Sequence, residues 1–360
     1  MGFKRLKNYR GQGTCPVCGG ERKDCRQSDN YPYLIFCMGS VPSPDWVFQK
    51  YDAHGFGIYL EKKIKDEQDE QKKKEWEEQR EAERKAREAR DKEKFSQSLP
   101  SENRDQNFRA LLKQLTLAPH HKKQLLERGL TESEINLGMF RSIRQYQKLD
   151  KPVNPKLPGV SKNGDRWVNA GGLLVPVWQG LKIVGAQIRL DYKTEDKYRW
   201  LKSGDNSSHL SNGEIPVAII NPLNGSFETI GLCESTGFKP FIAARRLGHK
   251  FIGASGRNFK SAKKQIYKSI KDYPKDKPLI LYPDANCLND PHTFRQYQNL
   301  EKMLTDWGYK LNVAYWGQFF NKKIGDIDEW IINNKAEDIE YIDWDAFAFQ
   351  WKASKAEYSR

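Results

Sequence analysis

Long apolar runs are missing from this sequence: none of its 360 residues belongs to an uninterrupted apolar stretch of about eighteen, the length that a membrane-spanning helix needs. A mean hydropathy of −0.83 agrees, and no membrane partner is expected. The opening MGFKRLKNYRGQG lacks the apolar core of a signal peptide, which predicts a cytoplasmic protein. There is no Gly-x-x-x-x-Gly-Lys-Ser/Thr loop, which excludes a P-loop motor. Cysteine is scarce, with six in all, and four of these lie between Cys15 and Cys37. Cys233 and Cys287 stand alone in apolar surroundings, so metal binding is a better account of the cysteines than disulfides. Acidic residues are in deficit, 47 against 61 Lys and Arg, for a net charge of +14. Such a surplus repels itself unless a polyanion uses it, which puts nucleic acid first among partners.

The length exceeds what one hydrophobic core usually serves and predicts several modules. Residues 1–60 are rich in Gly, Pro, Cys and aromatics, with short alternating pieces such as Tyr33–Phe36 and Gly55–Leu60. They read as a small β-rich module too poor in apolar residues to fold without a staple. Cys15, Cys18, Cys25 and Cys37 form a C-x2-C-x6-C-x11-C set. Four thiolates can close a tetrahedral zinc site. The second half lacks a C-x2-C pair, and His54 is the alternative fourth ligand.

Residues 61–100 open with a charged run. Positions 61–94 hold 13 basic and 13 acidic residues and no Gly or Pro, with opposite charges four apart, so the run predicts a solvated helical spacer of roughly 50 Å and not a nucleic-acid arm. Residues 101–160 read as a helical adaptor and loop, with a Thr131 to Glu134 capping box after Gly129. Residues 161–225 form a basic module whose strands Gly171–Trp178 and Leu181–Leu190 meet at a tight Gln179-Gly180 turn. From 226 to 335 strand and helix alternate, with strands at Thr229–Cys233, Phe251–Ala254, Pro278–Tyr282 and Lys310–Tyr315. That alternation predicts a mainly parallel sheet with flanking helices and ligands at its carboxyl edge. Residues 336–360 read as a C-terminal tail.

Three acidic points fall at that edge: Glu234, Asp284, and the Asp326-Ile327-Asp328-Glu329 turn. Converging carboxylates repel unless a cation joins them, and Mg²⁺ or Mn²⁺ is the natural ligand for such oxygens. A plainer account treats Glu234 and Asp284 as helix N-caps and Asp326 as a turn residue. Arg189, Lys197, Arg199 and Lys202 cluster on the preceding module, where cations suit the phosphates of single-stranded template or nucleotide. On an alternating strand Tyr198 and Trp200 point away from Lys197 and Arg199, so these aromatics are as readily core as stacking platforms. Gly253-Ala254-Ser255-Gly256 reads as a tight turn.

The order Glu234, Asp284, Asp326-x-Asp328 on alternating strands resembles the TOPRIM domain shared by bacterial replicative primases and topoisomerases. The strands Gly172–Val177 and Lys182–Arg189, followed by Lys197-Tyr198-Arg199-Trp200-Leu201-Lys202-Ser203, resemble the primase branch, as does a cysteine module at the N-terminus. Within that branch, Cys233–Pro240 and Tyr282–Ala285 are similar to the TOPRIM-containing domain of cyanobacterial plasmid replication proteins. The resemblance implies a primase-like nucleotidyltransferase serving DNA replication of a plasmid, phage or other mobile element. It would be a DNA-binding, zinc-containing enzyme that makes primers from NTPs or dNTPs on single-stranded DNA, beside a separate replicative helicase. Glu234, Asp284, Asp326 and Asp328 would be its catalytic residues and magnesium ligands, and Arg189, Lys197, Arg199 and Lys202 its substrate-binding residues. A TOPRIM nuclease and a non-catalytic DNA-binding accessory are the alternatives. Two departures weaken metal binding: Phe238, followed by Lys239, stands where primases carry a second acid, and Asn286 ends the Asp-x-Asp pattern.

Overall fold

A computed structural model of the chain describes residues 3–6, 15–19, 24–38, 44–52, 54–66, 70–96, 98–192, 197–204 and 206–357. It divides into two compact units, residues 1–89 and 90–360.

The first unit is an antiparallel sheet of β1 (Phe3–Arg5), β2 (Arg26–Ser28), β3 (Leu34–Cys37), β4 (Trp46–Tyr51) and β5 (Gly57–Glu61), in the order β1-β2-β3-β5-β4. Period-two alternation divides its side chains between two small cores. Ile35, Cys37 and Tyr59 join Cys15, Val17 and Cys25 on one face. Leu34, Phe36, Ile58 and Leu60 join Tyr31 and Phe56 on the other, with Ile64 and Trp76 packed against them. Those last two residues lie in α1 (Lys62–Asp66) and α2 (Glu70–Ser96), so the charged run is not wholly a solvated spacer: its sparse apolar residues cover the sheet. Tyr31 Oη also donates to Glu83 at 3.2 Å.

The second unit begins with α3 (Ser101–Leu112), α4 (Pro119–Glu127) and α5 (Glu132–Leu137). The expected capping box is present, the Thr131 hydroxyl accepting from Glu134 N–H while the Glu134 carboxylate accepts from Thr131 N–H. Then come β6 (Arg141–Ile143), β7 (Gly172–Gln179), β8 (Lys182–Leu190), β9 (Tyr198–Trp200), the small hairpin of β10 (Lys202–Ser203) and β11 (Asn206–Ser207), and β12 (Ala218–Ile220). The alternating half follows in the expected order: β13 (Ile230–Glu234), α6 (Phe238–Leu247), β14 (Lys250–Ala254), α7 (Lys263–Ile270), β15 (Leu279–Tyr282), α8 (Pro291–Thr305), β16 (Leu311–Tyr315) and α9 (Ile327–Trp330). Last are β17 (Glu340–Asp343) and α10 (Trp344–Glu357).

One ten-stranded sheet runs β17-β16-β15-β13-β14-β12-β7-β8-β9, with β6 on β7. Within residues 226–335 the expected parallel pairing is present, but it is one half of a sheet that is mixed as a whole. β14, β13, β15 and β16 are parallel, whereas β7 and β8, joined by the Gln179-Gly180 turn, are antiparallel as so short a connection requires. β12 joins the halves, antiparallel to β14 and parallel to β7. The residues expected as separate adaptor, basic and acidic modules therefore share a sheet. The expected tail does too, since β17 pairs with β16 over Asn312–Tyr315. Along β13, Ile230 and Leu232 enter one core and Cys233 the other, so both faces are covered and the strand ends become the accessible edge.

Arg104, 1% exposed, ties the antiparallel half together. Its guanidinium donates to the carbonyls of Leu99 (2.9 Å), Val184 (3.0 Å) and Ser208 (2.8 Å), and to that of His209. Burial without a carboxylate partner lowers its pKa to about 10. Arg104→Met should strand these carbonyls and destabilise the unit by roughly 3 kcal/mol or more. A denaturant midpoint equal to that of the wild type would show that water replaces the guanidinium at no cost.

Candidate active site and metal centre

Parallel pairing of Cys233 with both Gly253 and Tyr282 brings the ends of β13, β14 and β15 level, so that residues just beyond them meet. Glu234 closes β13, Asp284 lies two residues past β15, and Asp326 and Asp328 open α9. All four line one pocket of about 300 Å³, together with Arg128, Gln187, Tyr198, Lys239 and Glu329. Neither Glu234 nor Asp284 caps a helix: the N-cap of α6 is Gly237, and that of the short 3-10 turn after β15 is Asn286. Asp326 stands at the turn into α9, in the N-cap position, but its side chain makes no cap bond and accepts instead from Ala285 N–H at 2.8 Å. Asp290, by contrast, does cap α8.

The backbone around the pocket is bent to purpose. Of the five described non-glycine residues with positive φ, three adjoin it: Ser235 (85°), Arg257 (66°) and Asn286 (71°). Gly253 permits the first of these bends, because a Cβ there would strike the Ser235 carbonyl.

Each of the four converging carboxylates is already paired with a cation of the chain. The Lys239 ammonium, 8% exposed, contacts Asp284 and lies 2.8 Å from Asp326. Arg257 stands 3.1 Å from Glu234, which also accepts from the Tyr297 hydroxyl, and Arg128 lies 3.0 Å from Asp328. Burial pulls the Lys239 pKa down, but the charges of Asp284 and Asp326 push it well above its ordinary value. Burial and then the Asp284 charge raise Glu234 to about 8, against the pull of Arg257 and Lys239. Burial likewise raises Asp328 despite Lys239 and Arg128.

This arrangement bears directly on the expected magnesium. Lys239 fills the space between Asp284 and Asp326, so a pair of ions bridged by these carboxylates does not fit. A single hydrated ion does, because Asp284 and Asp326 keep about a third of their side-chain surface exposed (33% and 31%) and Glu329 faces the same pocket. Glu234 and Asp328 are buried behind them, at 5% and 4% exposure.

The expected phosphate-binding residues separate. Arg189, on β8, donates to Gln124, and its buried Nε has no partner among the described residues. Burial, then the charges of Arg189 and Arg128, lower Lys197; of these three cations Arg128 lines the pocket. Arg199 and Lys202 are exposed and are absent from its lining. Tyr198 and Trp200 pack against the core, with Trp200 Nε1 donating to Ser255 Oγ at 3.3 Å. Sequence reasoning missed Arg128, Lys239, Arg257 and Tyr297 as members of the site. Only Lys239 had a local signal, as a lysine beside a TOPRIM-like glutamate.

In the first unit the Sγ atoms of Cys15, Cys18, Cys25 and Cys37 lie within 4.8 Å of one another. Cys25 is 3.7 Å from Cys18 and 3.3 Å from Cys37, near the roughly 3.8 Å edge of a zinc tetrathiolate built on ~2.3 Å bonds. Hydrogen bonds from Cys25 and Cys37 hold the Cys15 thiol far below its ordinary value, as a thiolate. The donor set fits zinc, and His54, exposed and off the cluster, is not part of it.

No family model and no curated protein matches the chain. Among solved structures it is similar to the DnaG catalytic core, at a TM-score of 0.40 and 12% identity over 62% of this chain and 76% of that one. It is also similar to the DnaG primase catalytic domain bound to ssDNA, at 0.37 and 10% over 59% and 70%. Both are distant likenesses, and what the pocket can do follows from its own residues.

Elemental analysis of protein purified without added metal should find about one zinc per chain at the cysteines, lost in Cys15→Ala/Cys18→Ala; full retention in that variant would discard the assignment. Lys239→Met should leave Asp284 and Asp326 facing each other unpaired, lowering stability by roughly 3–5 kcal/mol without metal. Mn²⁺ should restore the melting temperature of Lys239→Met far more than it raises that of the wild type. Equal Mn²⁺ responses would mean that the ammonium does not stand where a cation binds.

Proposed function

We propose that this chain is a primase-like nucleotidyltransferase that extends a 3′-hydroxyl on single-stranded DNA, in the replication of a plasmid, phage or other mobile element. The observation that carries this reading is the convergence of Glu234, Asp284, Asp326 and Asp328 on one pocket lined also by Arg128, whose charge, with that of Arg189, acts on Lys197. Phosphoryl transfer asks a protein for little covalent chemistry; it asks for alignment and for positive charge around the phosphate. Arg189 and Lys197 would hold template or triphosphate oxygens. Asp284, Asp326 and Glu329 would hold one divalent ion, Mg²⁺ or Mn²⁺, which when bound stabilises charge on the attacking and leaving oxygens. Lys239 adds a fixed positive charge between two of those ligands. Buried Glu234 and Asp328 hold Arg257 and Arg128 in place at the rim. The zinc module would engage the single-stranded template, and a separate helicase would open the duplex.

Lys239 also favours a second reading. A pocket whose four converging carboxylates are each paired with an internal cation could serve DNA binding alone, as a replication accessory. Incubation with single-stranded DNA, NTPs or dNTPs, and Mg²⁺ or Mn²⁺ separates the two. New oligonucleotides that vanish in Asp284→Asn and Glu234→Gln, with DNA affinity kept within about threefold, are the expected result. Affinity should fall steeply with salt, and the slope should lessen by about one unit or less per cation removed at Arg189 or Lys197. DNA binding without synthesis under every metal condition would leave the accessory reading, and shortened DNA would indicate a nuclease.

A further inference from the structure

We infer that His120, His121 and Asp191 form a second transition-metal site, distinct from the cysteine cluster, that clasps the start of α4 to the end of β8. Their ligand atoms lie within 4.8 Å of one another. Asp191 Oδ1 is 2.6 Å from His121 Nε2 and 4.0 Å from His120 Nε2. Ligands at ~2.1 Å from a tetrahedral ion sit about 3.4 Å apart, so a small rotation of the Asp191 carboxylate, 49% exposed, brings both histidines to bonding distance. The two imidazoles are already gathered, with ring centroids 4.0 Å apart.

The surroundings resemble those of a ligand more than those of a lone surface pair. His121 is 1% exposed, and its Nδ1 lies 2.7 Å from Ser142 Oγ, which also accepts from Ala118 N–H. A hydroxyl fixed at one ring nitrogen, able to donate or to accept, orients the ring and aims the other nitrogen, as partners of metal-bound histidines do. Two imidazoles and one carboxylate select a zinc-class ion over Mg²⁺ or Ca²⁺, and three protein ligands leave a fourth position for water or substrate. The α4 N-terminus and the nearby Arg189 charge both oppose a bare cation, so the carboxylate of Asp191 is indispensable to the site.

Removal of bound zinc with a chelator, cobalt loading of the full chain, then dialysis and elemental analysis provide the test. About two equivalents should bind, falling to about one in His120→Ala and in Asp191→Asn, with the thiolate charge-transfer band of the cysteine site unchanged. His120 is 60% exposed, so its removal spares the fold. Ser142→Ala should weaken the second equivalent by roughly 10–100-fold. In Cys15→Ala/Cys18→Ala the equivalent that remains should lack the thiolate band. A single equivalent in the wild type, or two retained in both His120→Ala and Asp191→Asn, would overturn the inference.

Discussion

A lysine ammonium leaves water only when carboxylates surround it, and the contact of Lys239 with Asp284 and Asp326 is the interaction on which the acidic edge of the sheet depends. Without a cation between them, two carboxylates at neighbouring strand ends would repel, and α9 could not close over the ends of β13 and β15. An internal cation lets the pocket assemble before any ligand arrives. The same choice limits what the pocket accepts, because a position held by an ammonium is closed to a second ion. Arg257 and Arg128 repeat the arrangement at Glu234 and Asp328, so the cluster is close to neutral inside a basic protein. What it offers a phosphate is geometry and a hard oxygen surface for one ion, while further positive charge comes from Arg189 and Lys197.

The mixed sheet explains why those two sets of residues meet. β12 is three residues long, yet it pairs with β14 on one side and touches β7 on the other. Through it the antiparallel half that carries Arg189 and Lys197 continues the parallel half that carries the acids. The Tyr198 and Trp200 side chains pack against the core at this junction, Tyr198 also lines the pocket, and the exposed residue of β9 is Arg199. Affinity for a strand would then come from charge, with the salt dependence that implies.

Much of this was legible from sequence because the relevant signals are local. Period-two strands, the Gln179-Gly180 turn, the Thr131 capping box and the alternation after residue 229 depend on neighbours in the chain, and the structure has these elements within a residue or two. The acidic residues were readable because a carboxylate at a strand end stands out. Their partners were not, because pairing is set by topology: Lys239 and Asp284 are 45 residues apart, and Arg128 and Asp328 are 200 apart. Arg199 and Lys202 looked equivalent to Lys197 by composition; Arg199 shares the strand face of Lys197, whereas Lys202 belongs to the hairpin that follows. β17 lay hidden in what looked like a tail, since Glu340–Asp343 is too polar to read as a strand and owes its conformation to the edge of β16.

The strained backbone adds a last constraint. Left-handed φ at Ser235, Arg257 and Asn286 costs of order 1–3 kcal/mol at each residue and persists only where the surroundings dictate it. Here they do: Ser235 N–H donates to the Ala254 carbonyl at 2.7 Å, Arg257 is held by Glu234 and Thr293, and Asn286 N–H donates to the Gln318 carbonyl at 2.7 Å. Three unfavourable turns at three successive strand ends, each fixed by a contact from a different element, are hard to explain as packing alone, since an ordinary loop would relax them. They hold Glu234, Arg257 and Asp284 at the pocket wall, so the sheet's stability is spent on keeping charged groups in place before any ligand binds.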